Sequence, residues 1–578
     1  MTLSWLRCRT PGVLALIVVM LSAAGAHAAH PRGVVGRNGA VASAEQQATA
    51  AGLEVLRAGG NAADAAVAVA LALAVVHPQA GNLGGGGFAV VRFGDAAEAL
   101  DFREVAPAGA RASLYLDHKG RPVAERSREG GLAVGVPGSP TGLFELHRRY
   151  GKLPWRRVVR PALKLARDGF TVSSRLSEAL RDHQERLRRY PETAAVWLPG
   201  GQVPRPGDRL RLPALAATLA AYAERGPEAI SSGPVAAAVE VASRRYHGVL
   251  RAADMAAYRP VWRRVVEFEL AGWKVASMPL PSSGGIILAE SVAMLDRIDW
   301  MDLPRFGADR DHLLVEVWKR AYADRFRLGD PQTTEAGESE LLAPPWLDRR
   351  ARSIDPRRAT PSQSVKPWPG RVARESKETT HLSVVDGDGN AVALTTTLNG
   401  SFGSGVMVAG AGFLLNDEMD DFAVAPGRPN MYGLVQGRAN AVRPGRRMLS
   451  SMSPTVAWRG RNVLALGSPG GSRIPTATLQ VLLNFLVDGD HLQEAVDRPR
   501  IHHQWLPDRI DVEPDALSPE TEGRLRRMGH RVRVVASMGE VHAVCRMENG
   551  IVEGAADPRG PGSAGVVQRV PLPVPNSE

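Results

Sequence analysis

Residues 378–399 of the chain read ETTHLSVVDGDGNAVALTTTLN. Two β-prone runs rich in Val, Leu and Thr flank a turn, Asp386–Asn390, whose Gly, Asp and Asn residues tolerate left-handed backbone. This pattern predicts a β-hairpin with a longer loop. In such a hairpin Thr379 begins the first strand and Thr397 ends the second, so their hydroxyl groups can approach each other.

A threonine hydroxyl is a useful nucleophile only when a base lies beside it. An N-terminal threonine supplies that base with its own α-amine, whose ordinary pKa of about 7.7–8.0 suits proton transfer near neutral pH. Thr379 lies far inside the chain. The stretch is therefore either an ordinary hairpin or the start of a chain that must be cut between Glu378 and Thr379 before it is active.

The composition indicates a globular protein. Of 578 residues, 44% are hydrophobic and 23% are charged, and the net charge is +11. The arginines are scattered, which favours a solvated surface over a nucleic-acid-binding face. The chain has two cysteines, Cys8 and Cys545. Because Cys8 lies in a predicted leader, we expect neither an internal disulfide nor a zinc–cysteine site.

Residues 1–28 are typical of a secretory signal peptide. Arg7 and Arg9 supply the positive charge, an unbroken apolar run follows, and Ala26-His27-Ala28 fits the cleavage pattern. The apolar run is too short to span a bilayer stably. We therefore expect a mature chain that begins at Ala29 and is periplasmic or secreted, without a membrane span.

Six further motifs accompany the hairpin. They are GNLGGGGF at 81–88, DFREVAP at 101–107, LLNDEMDDF at 414–422, PNMYGL at 429–434, LSSMSPT at 449–455 and GSPGGS at 467–472. The first lacks the Lys-Ser/Thr of a phosphate loop and predicts instead that backbone lies close to other backbone. The last precedes a predicted helix, where free N–H groups can face a developing oxyanion.

Together with the hairpin, these motifs closely resemble those of the γ-glutamyltranspeptidases, which are N-terminal-nucleophile hydrolases. The resemblance covers nearly the whole chain after the leader. It implies an α/β fold, a four-layer αββα sandwich of two stacked, largely antiparallel sheets. It also implies cleavage into a large subunit, 29–378, and a small catalytic subunit, 379–578, which remain together as one folded heterodimer.

The resemblance further implies the reaction and the role of each candidate residue. A γ-glutamyl donor, usually glutathione, transfers its glutamyl group to water, an amino acid or a peptide, without a metal or organic cofactor. The residues implied for the reacting groups are Thr379 as nucleophile, Thr397 to orient it, and Gly470 and Gly471 for the oxyanion. The residues implied for the donor are Arg103, Ser450 and Ser451 at its α-carboxylate, Asn399, Glu418 and Asp421 at its α-ammonium, and Tyr432 on a lid.

Two other functions remain open. A glutaryl or cephalosporin acylase of the same superfamily accepts substrates that lack the α-amine, and Asp421 argues against it because this carboxylate would have no ammonium to meet. An exported binding protein with an inactive site is the more remote alternative, since Thr379, Thr397 and the glycine pair are intact.

Several structural expectations complete the sequence reading. Ser43 and Gln46 fit a helix capping box, and Asn61 fits the cap of a fully buried helix over residues 62–76. Residues 352–374, rich in Pro, Arg and Ser, are expected to form an exposed, mobile segment. His502 and His503 are expected to be a packed or surface pair, because no third metal ligand accompanies them.

Overall fold

The computed structural model describes residues 33–367, 378–423 and 437–569. The predicted signal peptide lies outside these residues. So does Tyr432, and so does the stretch 368–377 that directly precedes the proposed cut. Among the described residues, no helix is both long enough and apolar enough to cross a membrane.

The described strands form one long antiparallel sheet path and two small sheets. In chain order they are β1 Val34–Ser43, β2 Gly86–Phe93, β3 Ala96–Asp101, β4 Phe170–Thr171, β5 Arg209–Leu210, β6 Val261–Arg263, β7 Val266–Leu270, β8 Trp273–Ser277, β9 Glu378–Asp386, β10 Ala391–Asn399, β11 Thr455–Arg459, β12 Asn462–Gly467, β13 Ile501–His502, β14 Ile510–Val512, β15 Val532–Val534, β16 His542–Arg546, β17 Val552–Ala555 and β18 Ser563–Arg569.

The described α-helices lie mostly in the first two thirds of the chain. In chain order they are α1 Gln46–Arg57, α2 Ala62–Val76, α3 Glu125–Arg128, α4 Ser139–Tyr150, α5 Trp155–Asp168, α6 Ser174–Leu187, α7 Pro191–Trp197, α8 Pro213–Arg225, α9 Glu228–Ser231, α10 Gly233–Arg245, α11 Ala252–Ala257, α12 Gly284–Asp296, α13 Ala308–Asp324, α14 Glu338–Leu341, α15 Pro344–Arg352, α16 Ile474–Leu482, α17 Leu492–Asp497 and α18 Pro519–Arg527.

The long sheet path divides into two layers at β1. Its first residues, Val34–Gly36, pair with β17, whereas Gly39–Ser43 pair with β9. One layer has the strand order β6-β3-β2-β10-β9-β1, with β18 on the far side of β1, and the other has the order β17-β16-β12-β11-β8-β7. The neighbours in both layers are antiparallel, as the sequence predicted.

Three apolar clusters show how the layers stack. Residues such as Phe88, Val385 and Val544 from the two sheets meet in a core between them. On the outer face of the first sheet pack α1, α2, α4 and α5, and on the outer face of the second pack α12, α13 and α16. Burial of apolar surface at these three interfaces stabilises the sandwich. The predicted αββα architecture is therefore confirmed.

The β9–β10 hairpin lies at the centre of the first sheet. All of β10 is buried, from Ala391 to Asn399, and it lies between β9 and β2. Thr380 faces Thr396 across the hairpin, and a register shift follows before Asn399 pairs with Glu378. The predicted hairpin is confirmed, and the ends of its two strands come together as expected.

The glycine run at 81–88 lets β2 and its preceding loop approach β10 closely. A Cβ atom on Gly85 would lie 2.2 Å from the Thr397 carbonyl oxygen, and one on Gly87 would lie 2.3 Å from the Thr395 carbonyl oxygen. Either distance is well inside van der Waals contact. The close backbone approach predicted from the sequence is confirmed.

Two local expectations need correction. Ser43 is not a helix cap, because it is still in β1 and pairs with Leu382; the carboxylate of Glu45 accepts the Gln46 N–H at 2.7 Å instead. Residues 352–366 expose most of their side chains, but buried side chains hold their backbone in place, as described below. By contrast, Asn61 caps the buried helix Ala62–Val76 as predicted.

We expect Gly85→Ala to destabilise the protein by roughly 1–3 kcal/mol, the typical cost of forcing an extra methyl group into a packed site. The measurement is the free energy of unfolding by urea titration. Gly523→Ala is the matched control: its Cβ would lie 3.5 Å from the nearest atom, at the flexible end of Arg527, and the helix should gain up to about 1 kcal/mol. Equal free energies of unfolding for the two variants would show that position 85 does not require the close approach of backbone to β10.

Candidate active site

A small polar pocket brings together nearly all of the predicted site residues. Its lining residues are Arg103, Thr379, Thr397, Asn399, Glu418, Asp421, Ser450, Ser451, Met452, Gly471 and Ile474. Gly470 directly precedes Gly471 and does not itself line the pocket, and Tyr432 lies outside the described residues. Positions that are far apart in sequence thus meet at one place on the fold.

Thr379 and Thr397 lie on the adjacent ends of β9 and β10 and both are largely buried. The backbone N–H of Asn399 donates a hydrogen bond to Thr397 Oγ1 at 2.7 Å. Asn399 has a φ of 75°, a left-handed conformation that asparagine tolerates better than most residues. The Thr397 hydroxyl is therefore held at the end of β10, in the lining of the pocket that also contains Thr379.

His381 is the imidazole closest in sequence to Thr379, but its ring is occupied. Nδ1 lies 2.8 Å from the Thr395 hydroxyl and Nε2 lies 2.9 Å from the Ser383 hydroxyl. Complete burial, with a smaller effect from His542, holds the pKa of His381 well below its ordinary value. This ring is therefore a neutral part of the hairpin core, not a base for the Thr379 hydroxyl.

Arg103 is the cation of the pocket and is almost fully buried. Its Nη1 lies 2.7 Å from Glu418 Oε2, and its Nη2 lies 2.6 Å from Asp421 Oδ2. Its backbone carbonyl accepts a hydrogen bond from the Tyr258 hydroxyl at 2.7 Å. The guanidinium thus pairs with the two side chains that the resemblance assigned to the substrate ammonium.

Carboxyl groups outnumber cations around Arg103. Burial raises the pKa of Glu418 well above its ordinary value and also raises that of Asp421, although the charge of Arg103 opposes both shifts. Glu104 is fully buried 3.6 Å from Arg103 Nη1, and burial raises its pKa to about 8. Neither Glu104 oxygen has a hydrogen-bond partner among the described residues. The pocket can therefore accommodate a further positive charge.

The loop that carries Ser450 and Ser451 rests on a second loop, which contains Ser282 and Ser283. The N–H and hydroxyl of Ser283 both donate to the Ser450 carbonyl at 2.8 Å, and the Ser282 hydroxyl donates to the Met452 carbonyl at 2.7 Å. This second loop, residues 279–283, directly precedes α12. Its serines support the pocket and carry no nucleophile.

Arg325 is a second buried arginine near the pocket, and the sequence reading missed it. Its Nε donates to the Ser283 hydroxyl at 2.9 Å, and Ser283 lies 3.4 Å from the Ser451 hydroxyl. Its charge also opposes the rise that burial causes in the pKa of Asp421. Nothing in the sequence around Arg325 distinguishes it from the many surface arginines of this chain.

Asn440 joins the acidic turn of the pocket to the serine loop, and it was also missed. Its Nδ2 donates to the Asp421 carbonyl at 2.7 Å, and its Oδ1 accepts the Leu449 N–H at 2.9 Å. On the other side, Asn399 Nδ2 donates to the Asp417 carbonyl at 2.9 Å. Two buried amides therefore hold the turn Glu418–Asp421 in place.

The glycine pair follows β12, as the sequence predicted. Gly470 and Gly471 have φ values of 128° and 58°, a region that favours glycine, and α16 begins three residues after Gly471, at Ile474. Gly471 lines the same pocket as Thr379. Gly471 and Ile474, at the start of this helix, therefore both line the pocket that contains Thr379.

The chain is similar to known proteins of one family. The chain matches the family described as Gamma-glutamyltranspeptidase over residues 48–567. It is 43% identical over 535 residues to the glutathione hydrolase proenzyme of Escherichia coli (strain K12), which covers 92% of this chain and 91% of that protein. It is 40% identical over 546 residues to the glutathione hydrolase proenzyme of Pseudomonas aeruginosa, covering 92% and 95%.

Solved structures share the fold. Cephalosporin acylase from Bacillus halodurans superposes with a TM-score of 0.81 at 27% identity, over 92% of this chain and 96% of that one. A chain of Helicobacter pylori gamma-glutamyltranspeptidase superposes with a TM-score of 0.55 at 35% identity, over 57% of this chain and 95% of that one. With the family match and two relatives at 40% identity or more, this chain belongs to the γ-glutamyltranspeptidase family.

Proposed function

We propose that this chain is a γ-glutamyltranspeptidase and glutathione hydrolase whose nucleophile, Thr379, is released when the chain cleaves itself after Glu378. The observation that carries the proposal is the buried pairing of Arg103 with Glu418 and Asp421 in the pocket of Thr379. A γ-glutamyl group bears an α-carboxylate and an α-ammonium. It can therefore replace both halves of this ion pair at once.

The exchange explains why the substrate would be an amino-acid zwitterion. The α-carboxylate takes the planar fork of Arg103, which suits bidentate contact, and the hydroxyls of Ser450 and Ser451 are close enough to share it. The α-ammonium takes the place of the guanidinium beside Asp421 and Glu418. A ligand with only a negative charge would leave Glu418 and Asp421 without a cation, and a ligand with only a positive charge would leave Arg103 without an anion.

The choice of base supports an N-terminal nucleophile. His381 is occupied and neutral, and the carboxylates of Glu418 and Asp421 face Arg103. The described pocket-lining residues include no histidine or lysine. An α-amine on Thr379 would lie next to its own hydroxyl with a pKa suited to the task.

Self-cleavage would produce that amine. The Thr379 hydroxyl attacks the Glu378 carbonyl carbon, the peptide C–N bond breaks, and the nitrogen leaves as the free α-amine of Thr379. Water then hydrolyses the resulting ester and returns the hydroxyl. The two products, residues 29–378 and 379–578, would remain together because strands from both make one continuous sheet.

The catalytic cycle then uses the same hydroxyl on the substrate. Thr379 Oγ attacks the γ-carbonyl of the donor, its α-amine accepts the proton, and Thr397 orients the hydroxyl. N–H groups at Gly470 and Gly471 stabilise the tetrahedral oxyanion. The protonated α-amine gives its proton to the leaving amine. Water or the amine of an amino acid or peptide then attacks the glutamyl ester, and Tyr432 is proposed to close over it.

Two further features support this form of the enzyme. The superposition with the Helicobacter pylori chain covers 57% of this chain but 95% of the Helicobacter pylori chain. This difference is expected if the Helicobacter pylori chain is a large subunit separated from its small subunit. The leader at residues 1–28 supports export to the periplasm or medium. Neither feature requires a metal or organic cofactor.

The alternative function is that of a glutaryl or cephalosporin acylase, which the similarity to the Bacillus halodurans enzyme favours. The carboxylate of a glutaryl substrate would take Arg103 away from Asp421 and Glu418. Because such a substrate has no α-ammonium, these two side chains would gain no other cation in its place. The excess of buried carboxyls therefore favours the γ-glutamyl donor. An inactive binding protein would need no Thr379 paired with Thr397, and is disfavoured for that reason.

We expect Arg103→Lys to raise KM for a γ-glutamyl amide roughly tenfold to hundredfold, because lysine keeps the charge but loses the planar fork that meets a carboxylate with two hydrogen bonds. Release of a chromogenic amine measures KM and kcat. Self-cleavage should be intact, since it involves no α-carboxylate.

Arg263→Lys is the control for this variant. Arg263 also pairs with a buried aspartate, Asp101, at 2.7 Å, but it does not line the pocket. Its KM should match that of the wild type. An unchanged KM in Arg103→Lys would place the guanidinium outside the donor site.

We expect Asp421→Asn to lower kcat/KM for γ-glutamyl amides by roughly one to two orders of magnitude, the value of a charge-assisted contact in a closed site. The same variant should narrow the preference for a γ-glutamyl over a glutaryl amide, because these substrates differ only in the α-ammonium. The measurement is kcat/KM for both amides on both proteins.

Asp420→Asn provides the control from the adjacent position. Asp420 is equally buried, but its carboxylate accepts from the Ser127 hydroxyl at 2.5 Å and does not line the pocket. The preference ratio of this control should equal that of the wild type. A wild-type enzyme that prefers the glutaryl amide would favour the acylase alternative.

A further inference from the structure

The backbone of residues 353–366, here called the anchored segment, is held by side chains from two helices. Four buried or half-buried donors reach four of its carbonyl groups at 2.6–2.9 Å. The pairs are Arg320 with Ser353, His312 with Asp355, Lys319 with Thr360, and Arg350 with Lys366. This segment is the last described stretch before residues 368–377 and the proposed cleavage site.

The centre of this arrangement is a buried ion cluster on α13, formed by Glu316, Lys319 and Arg320. Glu316 pairs with Lys319 at 2.9 Å and with Arg320 at 2.7 Å, and all three side chains are at most 1% exposed. Buried charges are tolerated only when their remaining hydrogen-bonding groups are satisfied. The anchored segment does this: the Thr360 N–H donates to Glu316 at 3.1 Å, and its carbonyl accepts from Lys319.

The part of the chain after Thr379 holds the same segment from the other side. Asp508 accepts the N–H of Ser362 at 2.9 Å and its hydroxyl at 2.7 Å, and it lies 3.6 Å from Lys319 Nζ. Trp505 Nε1 donates to the Ser362 carbonyl at 2.6 Å. The anchored segment is therefore clamped between the future large subunit and the future small subunit.

Two histidines next to the cluster do not make it a metal site. The ligand atoms of His312, Glu316 and His530 lie close enough together to hold a cation. However, Glu316 already faces two cations, and His312 Nδ1 lies 2.7 Å from His530 Nε2, a hydrogen-bond distance. Because His312 Nε2–H donates to the Asp355 carbonyl, Nδ1 must accept from His530. Both rings are neutral structural partners.

We infer that Asp508 and the Glu316–Lys319–Arg320 cluster are positioning residues for self-cleavage, and that they keep the end of the large subunit attached to the small subunit afterwards. This inference rests on the proposed function. Lys366, the last anchored residue, is 12 residues before Glu378, whereas Ser353 is 25 residues before it. Asp508 and the cluster hold Ser362 and Thr360, which are 16 and 18 residues before Glu378, so we expect their loss to release this part of the anchored segment and to slow cleavage.

The test follows cleavage of the full-length chain. The chain is synthesised in a pulse-labelled cell-free reaction, and conversion to two bands is timed by gel electrophoresis. Asp508→Asn removes the charge that meets Lys319 and weakens the contacts with Ser362, so we expect cleavage to slow about threefold to tenfold, the effect of losing roughly one hydrogen bond. The kcat/KM of the cleaved enzyme for a γ-glutamyl amide should stay within twofold of the wild type, since Asp508 does not line the pocket.

Two further variants make the result decisive. Ser362→Ala, a milder change that retains the backbone contacts, should slow cleavage in the same direction. Asp490→Asn is the matched control: this carboxylate is also paired with arginines, Arg305 and Arg498, but away from the anchored segment. It should cleave at the wild-type rate.

The outcomes separate the inference from the proposed function. A wild-type chain that never cleaves overturns the proposed function and this inference with it. A wild-type chain that cleaves, together with Asp508→Asn and Ser362→Ala chains that cleave equally fast, overturns this inference alone. Equal losses of cleavage rate and of mature kcat/KM in both variants would indicate a general structural role and would also overturn it.

Discussion

The register between β9 and β10 is the constraint on which the rest of the structure depends. The hairpin is buried on both faces, so a slip of one residue would turn every side chain to the opposite face. Gly85 and Gly87 keep β10 close to β2 and its preceding loop, because a Cβ on either would meet a carbonyl oxygen of β10. Thr379 and Thr397 consequently both lie in the lining of the pocket.

Electrostatics then determines what the pocket accepts. One buried guanidinium, that of Arg103, faces Glu418 and Asp421, and Glu104 lies nearby with its pKa raised to about 8 by burial. Such a site is balanced by a ligand that brings one negative and one positive charge in a fixed geometry. The family assignment and the charge pattern thus support the same substrate class by independent routes.

The sequence predicted what depends on local chemistry and missed what depends on distant contacts. The hairpin, the cap at Asn61 and the glycine run follow from neighbouring residues, and the motif pattern located most of the pocket. Arg325 and Asn440 were missed because their partners lie far away in the chain. The composition of residues 352–374 indicated an exposed, mobile segment, but the described part of its backbone is hydrogen-bonded to buried charged side chains that local composition does not reveal.

The central claim is that Thr379 acts only as an N-terminal residue, and the most direct test is the N-terminal sequence of the active protein. We expect the purified wild type to contain two chains, the smaller beginning Thr-Thr-His-Leu, with activity rising in step with the amount of that chain. Thr379→Ala should remain a single inactive chain. A full-length wild-type protein that cleaves γ-glutamyl amides while uncut would contradict the account, because the α-amine that serves as the base would not exist.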